Sequence, residues 1–403
     1  MSPLPSGPSR GFFLATEEQI RQGRTTDVYF EHTMQVLRAK GLSHERAYAE
    51  LTTGSLPNDW SWAVLCGVEE VLRLFEGKKV TIRGLPEGTV FKARSRRGLR
   101  VPVLSIEGPY SEYCVLETPL LGLLCHSTGV ATMAARARIA AEDATLLSFG
   151  VRRMHPAISP MIDRSAYIGG CDGVSSLIGA EVIGIPPSGT MPHALVVMMG
   201  DQAQAFKAFD EVIDPSVPRI ALVDTYSDEK AEAIMAAKAI KDLSAVRLDT
   251  PASRRGSLPD LVREVRWELD IRGFGHVKII VSGGLDERTI PELRKAGADG
   301  FGVGTSISNA PTVDFALDIV EKDGEPVAKR GKLGGRKASY RCQRCMEWEV
   351  VPWGHKTPKC HICGDFMQSM EVELMREGIR AHEEREPSKV RKYVLQQLKA
   401  VRL

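Results

Sequence analysis

HVKIIVSGGLDERTIPELRKAGADGFGVGTSI, residues 276–307, is the stretch that decides the fold of this 403-residue chain. A buried strand at Val277–Val281 runs into a glycine turn, Ser282-Gly283-Gly284. A helix over Glu287–Ala296 follows, then a second strand, Gly300–Val303, and a second glycine turn ending in Thr305. Both turns follow the carboxyl ends of strands. Glycine there lets backbone N–H groups approach an anion with no Cβ in the way, and serine and threonine hydroxyls add donors. Two such turns on consecutive strands match the late-strand phosphate site of a TIM-like α/β barrel. A substrate carrying a phosphate monoester is expected.

Upstream, the alternation of strand and helix continues. An Ala-rich helix (Thr128–Ala144) leads to the strand TLLSFG, a helix near Ile158–Leu177 and a short strand, EVIGI. Then come helix Ala203–Phe209, strand Arg219–Val223, helix Asp228–Leu243, strand Ala245–Leu248 and helix Leu258–Ile271. A repeat of about 25–30 residues per strand–helix pair is the β/α barrel rhythm. Six or seven strands fall short of eight, so an irregular, incomplete TIM-like (β/α) barrel is expected over 121–310.

Residues 1–120 lack that rhythm. TTDVYFEHTMQVLRAKG reads as an extended start leading into a helix, Asp59–Phe75 as helical, and KKVTIRGLPEGTVF and VPVLSIEGPY as short strands. This is an α+β sandwich domain, preceded at 1–10 by a Pro-, Ser- and Gly-rich lead-in. Residues 311–337 form a return segment and basic linker (RGKLGGRK). Residues 338–403 form a small zinc-ribbon module closed by a charged helix at roughly Val372–Val401.

A formal charge of +2 favours no polyanionic partner, and MSPLPSGPSRG has no signal-peptide core. No run of eighteen apolar residues occurs. A cytoplasmic protein with no membrane association is expected, and a zinc-ribbon nucleic-acid-binding role is the reading from a different class.

Cys342-x-x-Cys345 and Cys360-x-x-Cys363 are the most specific local pattern. Each pair makes a tight knuckle, and four thiolates suit tetrahedral Zn²⁺ with no position left for water, so the metal is expected to be structural. Cys66, Cys114, Cys125 and Cys171 lie in apolar or Gly-rich surroundings and read as free thiols. His355 and His361 read as surface residues, and Trp348 and Trp353 as packing against the knuckles.

Polar residues also gather where strands end: Asp224 and Thr225 after IALV, Arg247 and Asp249 in AVRLDTPASR, and Asp286 after the first phosphate turn. The carboxyl face of such a barrel carries the active site. Each Asp alone would also serve as a helix N-cap, but their common rim favours function. His193 sits in a Gly- and Pro-rich loop, PSGTMPHAL, where by spacing alone a solvated histidine is the simpler reading.

HSTGVATMAARAR, SFGVRRMHP, the Gly-Gly-x-Asp-Gly of YIGGCDGVSS, SGTMPHA, LVDTYSDE, VRLDTP, SGGLDE and GVGTSI occur together and in this order. As a set, from about Thr25 to Ile307, they resemble the nicotinate phosphoribosyltransferases, and more broadly the type II phosphoribosyltransferases. The zinc module resembles that of the shorter archaeal-type members. The resemblance implies a head-to-tail homodimer that makes nicotinate mononucleotide and pyrophosphate from nicotinate and phosphoribosyl pyrophosphate. It also implies Mg²⁺ with the phosphoribosyl pyrophosphate and coupling to ATP hydrolysis.

Carried over by position, Ser282, Gly283, Gly284, Gly302, Gly304 and Thr305 would hold the 5′-phosphate. Phe149 would stack on the pyridine, and Tyr29 from the partner subunit would close its other face. Arg152 would contact phosphate or pyrophosphate, and Arg247 the nicotinate carboxylate. Asp224 and Asp249 would bind the ribose hydroxyls or steady the cationic C1′, and His193 matches the family's phosphorylated histidine. Asp172 stands where nicotinamide-using members also place an aspartate, so a nicotinamide-using enzyme is one alternative. A quinolinate-using enzyme is another, though no His-Arg-Lys-Thr segment is present.

Overall fold

The computed structural model describes residues 12–254 and 256–403, so the lead-in at 1–10 lies outside them. Its contacts fall into two compact units, each discontinuous in sequence. One runs through Thr128 and resumes at Thr312–Arg385; the other takes Gly129–Pro311 and Glu386–Leu403.

The first unit is built on a seven-stranded antiparallel sheet. Its strand order is Glu325–Pro326, Phe315–Lys322, Arg46–Thr53, Leu104–Pro109, Thr81–Gly84, Val372–Arg376, Ile379–Arg380. Two segments expected elsewhere supply strands to it. Phe315–Lys322, read as part of a return segment, pairs along nearly the whole of Arg46–Thr53. That partner strand was not evident in the sequence because RAYAELTT has few β-branched apolar residues and carries Glu50. Glu50 is buried, and it is tolerated because both oxygens are used: Lys337 donates to them from its backbone N–H (2.9 Å) and its Nζ (2.8 Å).

Val372–Arg376 replaces the front of the expected long C-terminal helix. Met375 pairs with Arg380 and Arg376 with Ile379 across a two-residue loop, Glu377-Gly378, with φ of +48° and +76°. Two left-handed residues at such a loop make a tight hairpin whose twist matches its strands. The helix itself is confined to Pro387–Leu398.

A three-stranded sheet, in the order Trp348–Pro352, Lys337–Arg341, Gln368–Ser369, carries the cysteine pairs. Arg341 is almost wholly buried, donating to the Val90 carbonyl and lying 5.7 Å from the Trp348 ring centroid. Trp353 is half exposed and faces Arg83 rather than a knuckle.

The second unit holds six parallel strands: β1 (Thr145–Ser148), β2 (Gly173–Val174), β3 (Arg219–Leu222), β4 (Leu243–Leu248), β5 (Lys278–Ser282) and β6 (Gly300–Val303). They run in the order β2-β1-β6-β5-β4-β3, a curled open sheet. No ladder joins β2 to β3 among the described residues, so the expected barrel is half of one. Helices Gln202–Val212, Glu229–Ala239, Leu258–Asp270 and Ile290–Lys295 alternate with the strands. The strands are apolar on both faces (IAL, AVRL, KIIV, GFGV), as a sheet covered on both sides requires. One continuous core runs from Val130 to Ala310.

EVIGI, expected as a strand, lies mostly in helix Leu177–Ile183. Ser176 Oγ caps its start by accepting from Gly179 N–H at 3.1 Å, and Gly184 (φ +79°) ends it. The barrel strand of that segment is Gly173–Val174. The Ala-rich helix spans Glu117–Ala141 and begins earlier than expected. By length and composition alone it could span a membrane, and just over half of its apolar window is buried within the molecule.

Candidate active site

Strand register aligns the site. Ser282 on β5 sits beside Gly302 on β6, which sits beside Leu147 on β1; Arg247 on β4 lies beside Ile280 on β5 and Leu222 on β3. Carboxyl ends of adjacent parallel strands therefore bring Asp224, Arg247, Asp249, Ser282 and Phe149 onto one rim.

These residues are wired together. Arg247 donates from Nε to Ser282 Oγ (3.1 Å), from one terminal nitrogen to Thr190 Oγ1, and from the other to Asp249 Oδ2 (3.0 Å). Its guanidinium lies 5.7 Å from the Phe149 ring centroid. Ser282 Oγ also donates to Asp249 Oδ1 at 2.8 Å. Asp249 in turn donates its backbone N–H to Asp224 Oδ2 (3.0 Å), which also accepts from Thr250 Oγ1 (3.1 Å). Five side chains on four strand ends are thus held by mutual contacts that fix their rotamers before any ligand arrives.

Asp224 is the deepest of them, its side chain 2% exposed. Oδ1 accepts no hydrogen bond and faces His193 Nε2 at 3.7 Å. Burial pushes the carboxyl above its ordinary range, and the His193 ring beside it draws it partly back. His193 does not sit in a loop: it opens helix His193–Met199, and its Nδ1 is 3.1 Å from Thr225 Oγ1. One ring nitrogen is therefore hydrogen-bonded to Thr225 and the other faces the Asp224 carboxylate, with the rest of the ring open to solvent.

The glycines divide by task. Gly283 and Gly284 adopt φ of +91° and +73°, a left-handed pair that side-chain-bearing residues rarely adopt, and both are exposed. Gly304 precedes the short helix Thr305–Ser308, and Thr305 is exposed beside it. Ser306 Oγ donates to the Leu285 carbonyl (2.7 Å), tying the second turn to the first. Gly302 has another role: a Cβ there would come within 2.5 Å of two Phe149 ring carbons. Its missing side chain makes the slot for that ring.

One expected site residue of this unit is not brought to the cluster. Asp172 precedes β2 and accepts from Arg138 (2.9 Å), Arg391 (2.6 Å) and the Leu146 N–H (2.9 Å). These bonds sit at the start of β1, the opposite end of that strand from Phe149, so in this structure the Asp172 carboxylate is taken up by two arginines and a backbone N–H. Tyr29 belongs to the first unit, on helix Val28–Ala39, with its side chain largely exposed. Arg152 is exposed in the turn after Phe149 and pairs with no carboxylate among the described residues. Asp286 is a cap, accepting from the backbone N–H groups of Arg288 and Thr289 at 3.0 Å each.

Cys342, Cys345, Cys360 and Cys363 place their sulfurs within 4.8 Å of one another, close enough to hold one metal ion. Cys342 and Cys363 are 3.6 Å apart, against about 3.8 Å for two thiolates of a tetrahedral zinc site. Each pair is followed by a left-handed residue, Met346 (φ +55°) and Gly364 (φ +76°), which closes its knuckle.

Enzymes that lay a sugar phosphate across the carboxyl ends of an open α/β barrel, with carboxylates ranged beyond it, form the type II phosphoribosyltransferases, and these elements put the chain in that class. Residues 27–128 and 130–318 match the N-terminal and C-terminal domain models of quinolinate phosphoribosyl transferase. The nicotinate phosphoribosyltransferase of Mycobacterium tuberculosis is 36% identical over 312 residues, 74% of this chain and 67% of the relative. That of Bacillus subtilis is 30% identical over 358 residues, covering 78% and 72%. A crystal structure of nicotinate-nucleotide pyrophosphorylase from Pyrococcus furiosus is 50% identical, with a TM-score of 0.92 over 97% of this chain and 99% of that one. Human nicotinic acid phosphoribosyltransferase shares the fold at 19% identity and a TM-score of 0.73, covering 94% of each chain. The chain belongs to the nicotinate phosphoribosyltransferase family.

Proposed function

We propose that this enzyme joins nicotinate to phosphoribosyl pyrophosphate, forming nicotinate mononucleotide and pyrophosphate for NAD synthesis. The observation that carries the reading is Arg247, held by Ser282, Thr190 and Asp249 against the face of Phe149. An aromatic face beside a fixed guanidinium suits a flat ring bearing a carboxylate, and a planar fork pairs with two carboxylate oxygens far better than with an amide. The placement of Asp172 supports acid over amide, because its negative charge is already matched by Arg138 and Arg391.

In this reading the pyridine nitrogen attacks C1′ as the C1′–O bond to pyrophosphate breaks, with positive charge building on the ribose. Asp249 abuts the first glycine turn through Ser282, and with Asp224 it would meet that charge and the ribose hydroxyls. Ser282–Gly284 with Gly304 and Thr305 would hold the 5′-phosphate. Arg152 and a Mg²⁺ ion brought with the substrate would take the leaving group. Tyr29, exposed on its own chain, would close the pyridine's second face across a homodimer. His193 would be the residue that carries phosphate when ATP is coupled.

The test is a product assay with phosphoribosyl pyrophosphate and Mg²⁺, offering nicotinate, nicotinamide or quinolinate, each with and without ATP. Mononucleotide is expected from nicotinate, faster with ATP. Product from nicotinamide or quinolinate alone would overturn the substrate assignment.

The four-cysteine cluster is read as a structural zinc site. Metal analysis of purified protein should find close to one equivalent of zinc per chain, lost together when Cys342 and Cys360 are both changed to serine. Substantially less than one equivalent in the parent protein counts against zinc.

A further inference from the structure

Glu232 is a fully buried carboxylate with no part in the chemistry described above. It lies in the first turn of helix Glu229–Ala239, yet its side chain turns back over the loop that follows β3. There Oε2 accepts from Thr225 N–H (3.0 Å), and Oε1 accepts from Tyr226 N–H (2.9 Å) and Ser227 N–H (2.7 Å). No lysine, arginine or histidine pairs with it among the described residues. A charge out of water with only backbone donors for company is costly unless those donors are held in place, so the carboxylate and the loop fix each other.

The loop so fixed is the one that grips the histidine. Thr225, whose N–H is bound to Glu232, presents Oγ1 to His193 Nδ1 at 3.1 Å. Its neighbour Asp224 presents the unpartnered Oδ1 to His193 Nε2 at 3.7 Å. Asp224 is anchored from its other oxygen by the Asp249 N–H and Thr250. Among the described residues Thr225 has no comparable second anchor, because β3 has ended and the Val223 N–H is the last to bond to β4. We propose that Glu232 is a positioning residue: by binding three successive N–H groups, it sets the Thr225 hydroxyl that orients the His193 ring between two partners.

The proposal rests on the reading of His193 as the group that couples ATP, but the exchange and NMR arms of its test do not. In the unmodified protein the amides of Thr225, Tyr226 and Ser227 should exchange with solvent at least about 100-fold more slowly than exposed loop amides, the mark of stable hydrogen bonds. Exchange as fast as an open loop overturns the proposal with no variant needed. In Glu232→Gln, one acceptor becomes a donor facing N–H groups. The ring-nitrogen NMR signals of His193, assigned by their loss in His193→Asn, should then shift at fixed pH towards those of a free imidazole. Glu232→Asp keeps the charge and should give a smaller shift. ATP-linked kcat should fall at least about tenfold in Glu232→Gln with KM for nicotinate changed less than about twofold, because orientation rather than substrate contact is lost. A folded Glu232→Gln protein with unmoved His193 signals refutes the positioning role. Should the parent enzyme form no mononucleotide at all, the functional reading fails while the exchange and NMR results still decide for or against Glu232.

Discussion

Arg247→Ala should raise KM for nicotinate by about 100-fold, corresponding to loss of roughly 2–3 kcal/mol from a charge-assisted bidentate pair. The effect on KM for phosphoribosyl pyrophosphate should be much smaller, since the glycine turns and their N–H groups are untouched. Truncation also leaves Asp249 without its cation, so some loss of kcat will accompany it. Arg247→Lys keeps the charge but not the planar fork, and should recover only part of the affinity. Steady-state kinetics with each substrate varied in turn gives the answer. Equal increases in both KM values would remove Arg247 as the carboxylate clamp.

The second large effect is expected at Asp224. Asp224→Asn should lower kcat by about 100- to 1,000-fold, the usual loss when a fixed charge opposite developing transition-state charge is removed. Stability should move the other way. Burial raises the carboxyl's pKa above its unfolded value, so the folded state binds the proton more tightly, and ionising Asp224 destabilises the protein as pH rises through that interval. Near neutral pH the asparagine variant should therefore melt no lower than the parent. The same displacement sets the acid limb of the parent's kcat profile above that of an ordinary aspartate, and Asp224→Asn should remove that limb. A variant with full activity, or one that fails only by unfolding, would show that the carboxylate is structural.

How much was legible in the sequence depended on how local the signal was. Strands β5 and β6 and the paired glycine turns were clear because apolar runs, turn glycines and helix periodicity all lie within about thirty residues. Arg247, Asp249 and Asp224 stood out as candidates because they lie at or just beyond the ends of strands. His193 reads from sequence as a loop residue, since the preceding prolines and glycines hide the helix that it begins. Glu232 gave no signal: an acid in the first turn of a helix is ordinary, and only the folded chain shows it bending back to the loop. Asp172 stood in a recognisable motif, but its partner Arg391 lies over two hundred residues away on the last helix. The Gly302–Phe149 contact was hidden for the same reason, being a packing relation between adjacent strands that are far apart in sequence.

The discontinuity of both units bears on how the chain emerges from a ribosome. Synthesis runs from the amino end, and domains ordinarily close as their residues appear. Here Arg46–Thr53 must wait for Phe315–Lys322, and Thr81–Gly84 for Val372–Arg376, so two unsatisfied strand edges stand open while the whole half-barrel is being made. The half-barrel waits in its turn for residues beyond Pro387, whose helix supplies Arg391 to the carbonyls of Gly170 and Cys171. Translation speed and chaperone access over that interval, rather than the finished protein's stability, should govern the yield of active enzyme.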